Sequence, residues 1–297
     1  MGNKRVWALL AAFGATTIYA LNHTIAKDVM PTYVQGFGFI MIRLLGATLL
    51  FWLAGLFVPK NPIEKKDFLR LLVCAFFGMG INMLSFFKGL EYSTPINSAV
   101  IITTTPILVF IFSAFLLKEQ LIKSRIFGVL LGFLGALFLV LFNDQLHANA
   151  PNIPLGNMLF VINAGSFALY LVFVRPLSQK YHPIHLLKWL FLIGLVVCFP
   201  VTWSEFQEVN WSTMSLSALW RIGYVVVGTT FLTYLFNIFA LKTLKASTVS
   251  VFTYLQPVMG IMFAIVVGAD RLTVVGVFSC LAVLSGVYLV TKRYSTT

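Results

Sequence analysis

Few side chains in this sequence could do chemistry, and most of them interrupt long apolar runs. Thr94, Asn97, Ser98, Thr104 and Thr105 recur at three-, four- and seven-residue spacings. Thr229, Thr233 and Asn237 follow at i, i+4 and i+8, one stripe down one face of a helix. Further polar groups fall at Ser247, Ser250, Tyr254 and Gln256, at Asn163, Ser166 and Tyr170, at Thr16, Tyr19, Asn22 and His23, and at Asn82 and Ser85. Hydroxyls and amides of this kind hydrogen-bond a polar solute. His23 could also take a proton near neutral pH, or serve as a hydrogen-bonded structural residue. Covalent or metal chemistry finds no support. There is no G-x-S-x-G and no H-E-x-x-H, and Cys74, Cys198 and Cys280 stand at unrelated spacings. An enzyme, a metal site and a cofactor are therefore not expected.

The elements that must position these groups are helices in a bilayer. Hydrophobic residues make up 59% of the 297 and charged residues 10%, more apolar surface than a soluble domain needs. The apolar runs repeatedly reach the roughly 20 residues that cross a bilayer core. The pattern predicts ten helices, at about 6–26, 33–57, 68–88, 94–117, 125–142, 155–175, 185–203, 219–241, 246–268 and 273–292. The net charge of +12 sits in short clusters between apolar runs, which suits membrane loops and not a nucleic-acid face. With the N-terminus inside, the inner segments hold fifteen Lys and Arg and the outer ones four, namely Lys27, Lys88, Arg221 and Arg271. Both termini are accordingly expected in the cytoplasm.

A single ungapped offset of 151 residues relates the two halves. It places Pro106 on Pro257, Gly14 on Gly165, Tyr19 on Tyr170, Trp52 on Trp203, Glu119 on Asp270 and Gly135 on Gly286. Residues 1–144 and 152–297 are thus read as two copies of a five-helix unit. Five is odd, so the second copy enters the membrane from the opposite side, and the fold class is an all-α membrane protein of two inverted repeats. Pro106 and Pro257 lie near the middle of the fourth and ninth helices, where each removes a backbone donor and clashes with the carbonyl four residues back. Paired interruptions at matching places in two halves point to a substrate site, with the prolines as hinges.

Over nearly its full length the chain resembles the EamA-type permeases of the drug/metabolite transporter superfamily. The first helix carries Tyr19-Ala20-Leu21-Asn22-His23 and Lys27 where many relatives read W-G-x-N-F and then a Lys, and the second carries Arg43-Leu44-Leu45 for R-F-x. Glu119-Gln120-Leu121 and Asp270-Arg271-Leu272 follow the proline-bearing helices where relatives read E-R-x. The resemblance implies a secondary carrier in the plasma (inner) membrane, often an exporter of amino acids or related metabolites, working by alternating access. Two other readings stay open: a carrier of nucleotide sugars or phosphorylated sugars, and a membrane subunit that transports nothing.

Helices one, three, four, six, eight and nine each own a polar face, in repeat-matched pairs. The expected substrate pathway is Tyr19, Asn22, His23, Arg43, Asn82, Thr105, Asn163, Tyr170, Thr233, Asn237, Tyr254 and Gln256. Its partners are a small-molecule substrate and lipid. Arg43 lies deep in the second helix, where a charge costs about 2.5–3.5 kcal/mol on insertion scales unless partnered. Backbone carbonyls, or a carboxylate on the substrate, could partner it. No Asp or Glu is placed at the midplane, so any proton coupling would fall to His23 or the substrate itself. Small residues on the fifth helix (Gly128, Gly132, Gly135) and the tenth (Gly276, Ser279, Ala282, Gly286) allow close packing within a monomer or across a homodimer. The charge bias is checked by cysteine labelling in an otherwise cysteine-free variant. Asn149→Cys is expected to react with an impermeant reagent from outside intact cells, and Ser124→Cys to be protected.

Overall fold

The computed structural model describes residues 2–26, 29–30, 33–93, 95–120, 122–141, 151–266 and 274–292. The side chains at 2, 22–26, 95–96, 139–141, 260–261 and 263–266 also lie outside the described set. Helix α1 covers Gly2–Ala26, and α2 covers Gly36–Ala54 with one 3-10 turn beyond it. The third expected helix is α3 (Phe68–Ala75) and α4 (Asn82–Tyr92), joined by a π-helical turn at Phe76–Ile81. Next come α5 (Pro95–Ile102), α6 (Thr105–Leu116), α7 (Lys123–Leu141), α8 (Ile153–Lys180) and α9 (Pro183–Gln207). The eighth expected helix is α10 (Leu216–Tyr224) and α11 (Thr233–Leu241), again joined by a π-helical stretch, Val225–Leu232. The ninth is α12 (Ala246–Ser250), a 3-10 turn (Val251–Tyr254) and α13 (Leu255–Val266); α14 (Val274–Thr291) follows.

Among the described residues there is no strand, and seven helical stretches are long and apolar enough to cross a membrane. They are Gly36–Phe57, Lys65–Tyr92, Asn97–Leu116, Ile153–Lys180, Pro183–Gln207, Leu216–Leu241 and Val274–Thr291. Helices also occupy the expected first, fifth and ninth stretches, but these are not among the seven. In both the fourth and the ninth stretches the α-helix is interrupted a short way ahead of the proline. Pro106 sits in the first turn of α6, where a missing N–H removes no intrahelical bond and the fixed φ suits the start of a helix. The chain breaks just before it, and the Thr103 and Thr104 hydroxyls donate to the carbonyls of Val100 and Ile101, each at 2.6 Å. These bonds add side-chain donors at the end of α5, where the Ile101 carbonyl also accepts from the Thr104 backbone N–H at 3.0 Å.

Packing fixes directions. Glu205 near the end of α9 accepts from the backbone N–H groups of Phe37 (2.7 Å) and Gly38 (3.0 Å) at the start of α2. At the other end Trp52 of α2 meets Trp189 of α9 edge to face. So α2 and α9 run antiparallel. Helices α7 and α14 do the same, with Gly128 against Gly286 and Gly135 against Ser279 and Val283. Helix α8 packs on α4, and α1 on α11 and α13. The Arg5 guanidinium donates to the Thr291 carbonyl, which brings the start of α1 to the end of α14. Trp189 and Trp203 are fourteen residues apart on α9, about 21 Å along the axis. Both sit in aromatic clusters, with Lys188 4.5 Å over Trp52 at one end and, at the other, Phe199 and Phe206 beside Trp203 and Trp211 beside Phe206. Amphipathic aromatics at both ends of an apolar belt mark two membrane–water interfaces.

The α7–α14 contact is backbone on backbone. A Cβ on Gly286 would stand 2.6 Å from both the Gly128 carbonyl oxygen and the Gly132 nitrogen, so the helices would have to separate. Gly286→Ala is expected to destabilise the chain by about 1–3 kcal/mol, read as a lower midpoint in thermal unfolding of the detergent-solubilised protein.

Candidate functional site

A π-helical turn inserts one residue into an α-helix, leaves carbonyls without their usual donors and turns every later side chain onto a new face. The two π segments here therefore create acceptors in the middle of apolar helices. In the first, Ser166 of α8 donates to the Phe77 carbonyl, and the Tyr234 hydroxyl of α11 donates to Gly78 at 3.3 Å. These donors all come from the second half of the chain. In the second segment the donors are local. Thr229 (2.7 Å) and Thr230 (2.8 Å) both donate to the Val225 carbonyl, and Thr233 donates to Gly228 at 3.2 Å. The three hydroxyls plug their own helix.

Thr230 carries the contact that organises the site. Its proton goes to Val225, and its oxygen accepts from Arg43 Nε at 3.0 Å. Arg43 is 5% exposed on α2, and its guanidinium lies 5.8 Å from the centre of the Phe87 ring. Tyr234 lies within electrostatic reach of Arg43 and of Tyr19. Its ring meets Phe191 edge to face at 5.0 Å and Tyr170 at 6.1 Å. Tyr170 is buried with its ring laid on the first π segment. A Cβ on Gly78 would fall 2.5 Å from the ring, so only glycine admits it there. The Tyr170 hydroxyl has no partner among the described residues.

The remaining expected pathway residues divide. Asn82 and Asn163 clasp α4 to α8, each amide donating to the other's backbone carbonyl (3.3 and 2.8 Å). Thr105 is buried at the start of α6. Asn237 and Gln256 are half-buried. Tyr254 is buried with its ring against Gly132 of α7. The side chains of Asn22 and His23 lie outside the described residues. Sequence reading missed Thr230, Phe87 and Tyr234. It applied α-helical spacing through the π segment, which selects Thr229 and Thr233 as the facing residues. Two bonds spanning five residues, Thr230 to Val225 and Thr233 to Gly228, record the extra residue.

One end of the molecule is braced across the halves. Lys180 bridges Glu64 (2.7 Å) and Asp67 (2.6 Å), and the Tyr181 hydroxyl donates to Asp67 at 2.7 Å. The His182 backbone N–H donates to Asn61 (3.1 Å), and His185 Nε2 lies 2.8 Å from the Pro59 carbonyl. Lys118, in a left-handed conformation (φ 52°), ends α6 and turns the chain. Glu119 then reaches Arg175 (3.4 Å) and accepts from Ser247 (2.8 Å). Among the described residues every ion pair that joins the two halves lies in this set. Lys180, and after it Lys66, hold the Glu64 carboxyl below its usual range. Its contribution is present above the ordinary carboxylate pKa and is lost only as pH falls through the depressed one. Burial, with His185 and Lys242 nearby, lowers the His182 pKa. The Glu64 carboxylate of the brace is therefore ionised at neutral pH, while the His182 shift favours a neutral ring.

Residues 6–141 and 154–292 each match the EamA-like transporter family. The chain belongs to that family. Relatives include an uncharacterized transporter of Archaeoglobus fulgidus, 25% identical over 97% of this chain and 98% of its own length. Another is the uncharacterized transporter YetK of Bacillus subtilis, 23% identical over 96% and 87%. A protein of known crystal structure shares the fold, with a TM-score of 0.78 at 17% identity, over 95% of each chain. Membership of the EamA-like transporter family makes this a multi-pass membrane protein and points to transport instead of catalysis. Within that family assignment, the Arg43–Thr230 bond is a buried contact whose loss can be measured. Thr230→Val is expected to lower stability by about 1–3 kcal/mol, because it strips a buried charge of its hydrogen bond. Thr230→Ser, which keeps the hydroxyl, is expected to stay close to the parent in thermal unfolding.

Proposed function

We propose that the chain is a secondary carrier of small polar or amphipathic metabolites, such as amino acids or related compounds. It works as an exporter in the inner membrane, by alternating access between two inverted five-helix repeats with both termini cytoplasmic. The observation that carries this reading is the placement of the backbone irregularities. Under the 151-residue offset the π turn Phe76–Ile81 falls on 227–232, inside Val225–Leu232. The break at 103–104 falls on 254–255, where a 3-10 turn hands over to α13. Helices weakened at matched points in two halves suit a pair of units that rock against each other. The antiparallel α2–α9 and α7–α14 pairs, each made of repeat-matched helices, support the inversion.

In this reading the Lys180–Glu64–Asp67 brace is the contact that closes the cytoplasmic end in one state and parts in the other. Two measurements test it. Cells lacking the chain are expected to accumulate a restricted set of small metabolites by untargeted comparison with cells that express it; identical profiles would remove the carrier reading. Asn61→Cys with His182→Cys, in a variant without Cys74, Cys198 and Cys280, is expected to stop export once a short bifunctional thiol reagent joins them. Export that continues with the two cysteines joined would overturn alternating access at this end.

A further inference from the structure

Arg43 is the eighth residue of α2, about 10 Å along the helix from its start, and 5% exposed. A guanidinium at such depth demands an anion or several acceptors. Among the described residues it has one hydrogen bond, from Nε to the Thr230 hydroxyl, and no ion pair. The described carboxylates other than Glu208 are committed elsewhere. Glu64 and Asp67 hold Lys180, Glu91 holds Lys88, Glu119 holds Arg175 and Ser247, and Glu205 caps α2. Glu208 is exposed at the end of α9.

The surrounding geometry is built, not incidental. Donation of the Thr230 proton to Val225, an acceptor that the π segment supplies, fixes the hydroxyl so that an oxygen lone pair faces Arg43. Tethering at Nε fixes the plane of the guanidinium and leaves its two terminal amino groups as a donor pair, the edge that matches a carboxylate. Phe87 covers one side, and Tyr234 lies within electrostatic reach.

We propose, resting on the carrier reading, that Arg43 is the anion subsite of the transport pathway. It receives the carboxylate of a small amphipathic substrate, with Thr230 as the positioning residue. A single guanidinium balances one negative charge. Lys88, the next cation on the neighbouring α4, is already paired with Glu91. The subsite therefore selects monocarboxylates and disfavours phosphorylated sugars and nucleotide sugars, whose charge calls for several cations.

The test uses the purified full-length chain in lipid nanodiscs and reads ligand-induced thermal stabilisation. The probes are leucine, phenylalanine and threonine, each beside its carboxamide, with glucose 6-phosphate as the phosphorylated arm. In the parent at least one acid is expected to bind tenfold or more tightly than its amide, and glucose 6-phosphate to give no shift. Arg43→Gln is expected to erase the preference for acid over amide, and Arg43→Lys to keep part of it. Thr230→Val, which retains the charge but loses its orientation, is expected to narrow the preference without abolishing it. Should Arg43→Gln fail to fold, the Lys and Val variants carry the test. Equal binding of acid and amide by the parent, no binding of any acid, a shift with glucose 6-phosphate matching that of the acids, or a preference unchanged in the variants overturns the proposal. A chain that exports metabolites from cells yet treats acid and amide alike loses the subsite and keeps the carrier reading.

Discussion

In a bilayer core no water stands ready to bond a stray carbonyl, so backbone polar groups must find partners within the protein. That constraint governs this molecule more than hydrophobic matching does, because the chain departs from the α-helix at four places deep in its apolar runs. Each departure with described partners is settled by a side chain. Thr103 and Thr104 close the end of α5, Ser166 and Tyr234 reach across to the first π segment, and Thr229, Thr230 and Thr233 fold back onto the second. The scattered hydroxyls are thus largely structural donors. What is left over for a solute is smaller and more specific than the polar stripes suggest.

The two π segments solve the same problem in different ways, and the difference gives the site its asymmetry. The first lends its carbonyls to α8 and α11, so it ties one half of the chain to the other. The second satisfies itself, which leaves a hydroxyl oxygen to hold Arg43. Repeat-matched positions have diverged accordingly. Gly78 corresponds to Thr229 and Tyr170 to Tyr19, so a ring lies on bare backbone in one half where a threonine stands in the other.

Much of this was legible in the sequence. The apolar runs and their spacing locate the helices, and the 151-residue offset anticipates that irregularities come in pairs. Pro106 and Pro257 announce the breaks, although not that the proline belongs to the helix that follows. Arg43 stands out as a charge in the wrong solvent. Its partner does not, because Thr230 is one of two adjacent threonines, and only the extra residue in the π turn decides which of them faces α2. The inter-half brace was hidden for another reason. Lys180, Asp67 and Glu64 read as loop charges, and nothing local says that 113 residues of chain separate two ends of one ion pair.

The glycine seam between α7 and α14 bears on how the molecule is made. Gly128 and Gly135 face backbone that lies about 150 residues further along the chain, and Gly132 faces the Tyr254 ring. The small face of the fifth helix therefore lacks its backbone partner until α14 is in place. The Arg5–Thr291 contact adds the same condition at the opposite extreme, since the first turn of α1 finds that partner only at the final turn of α14. The seam closes only once α14 is in place. A truncated chain would therefore present the membrane quality-control machinery with an unsealed groove, not a smaller copy of the fold.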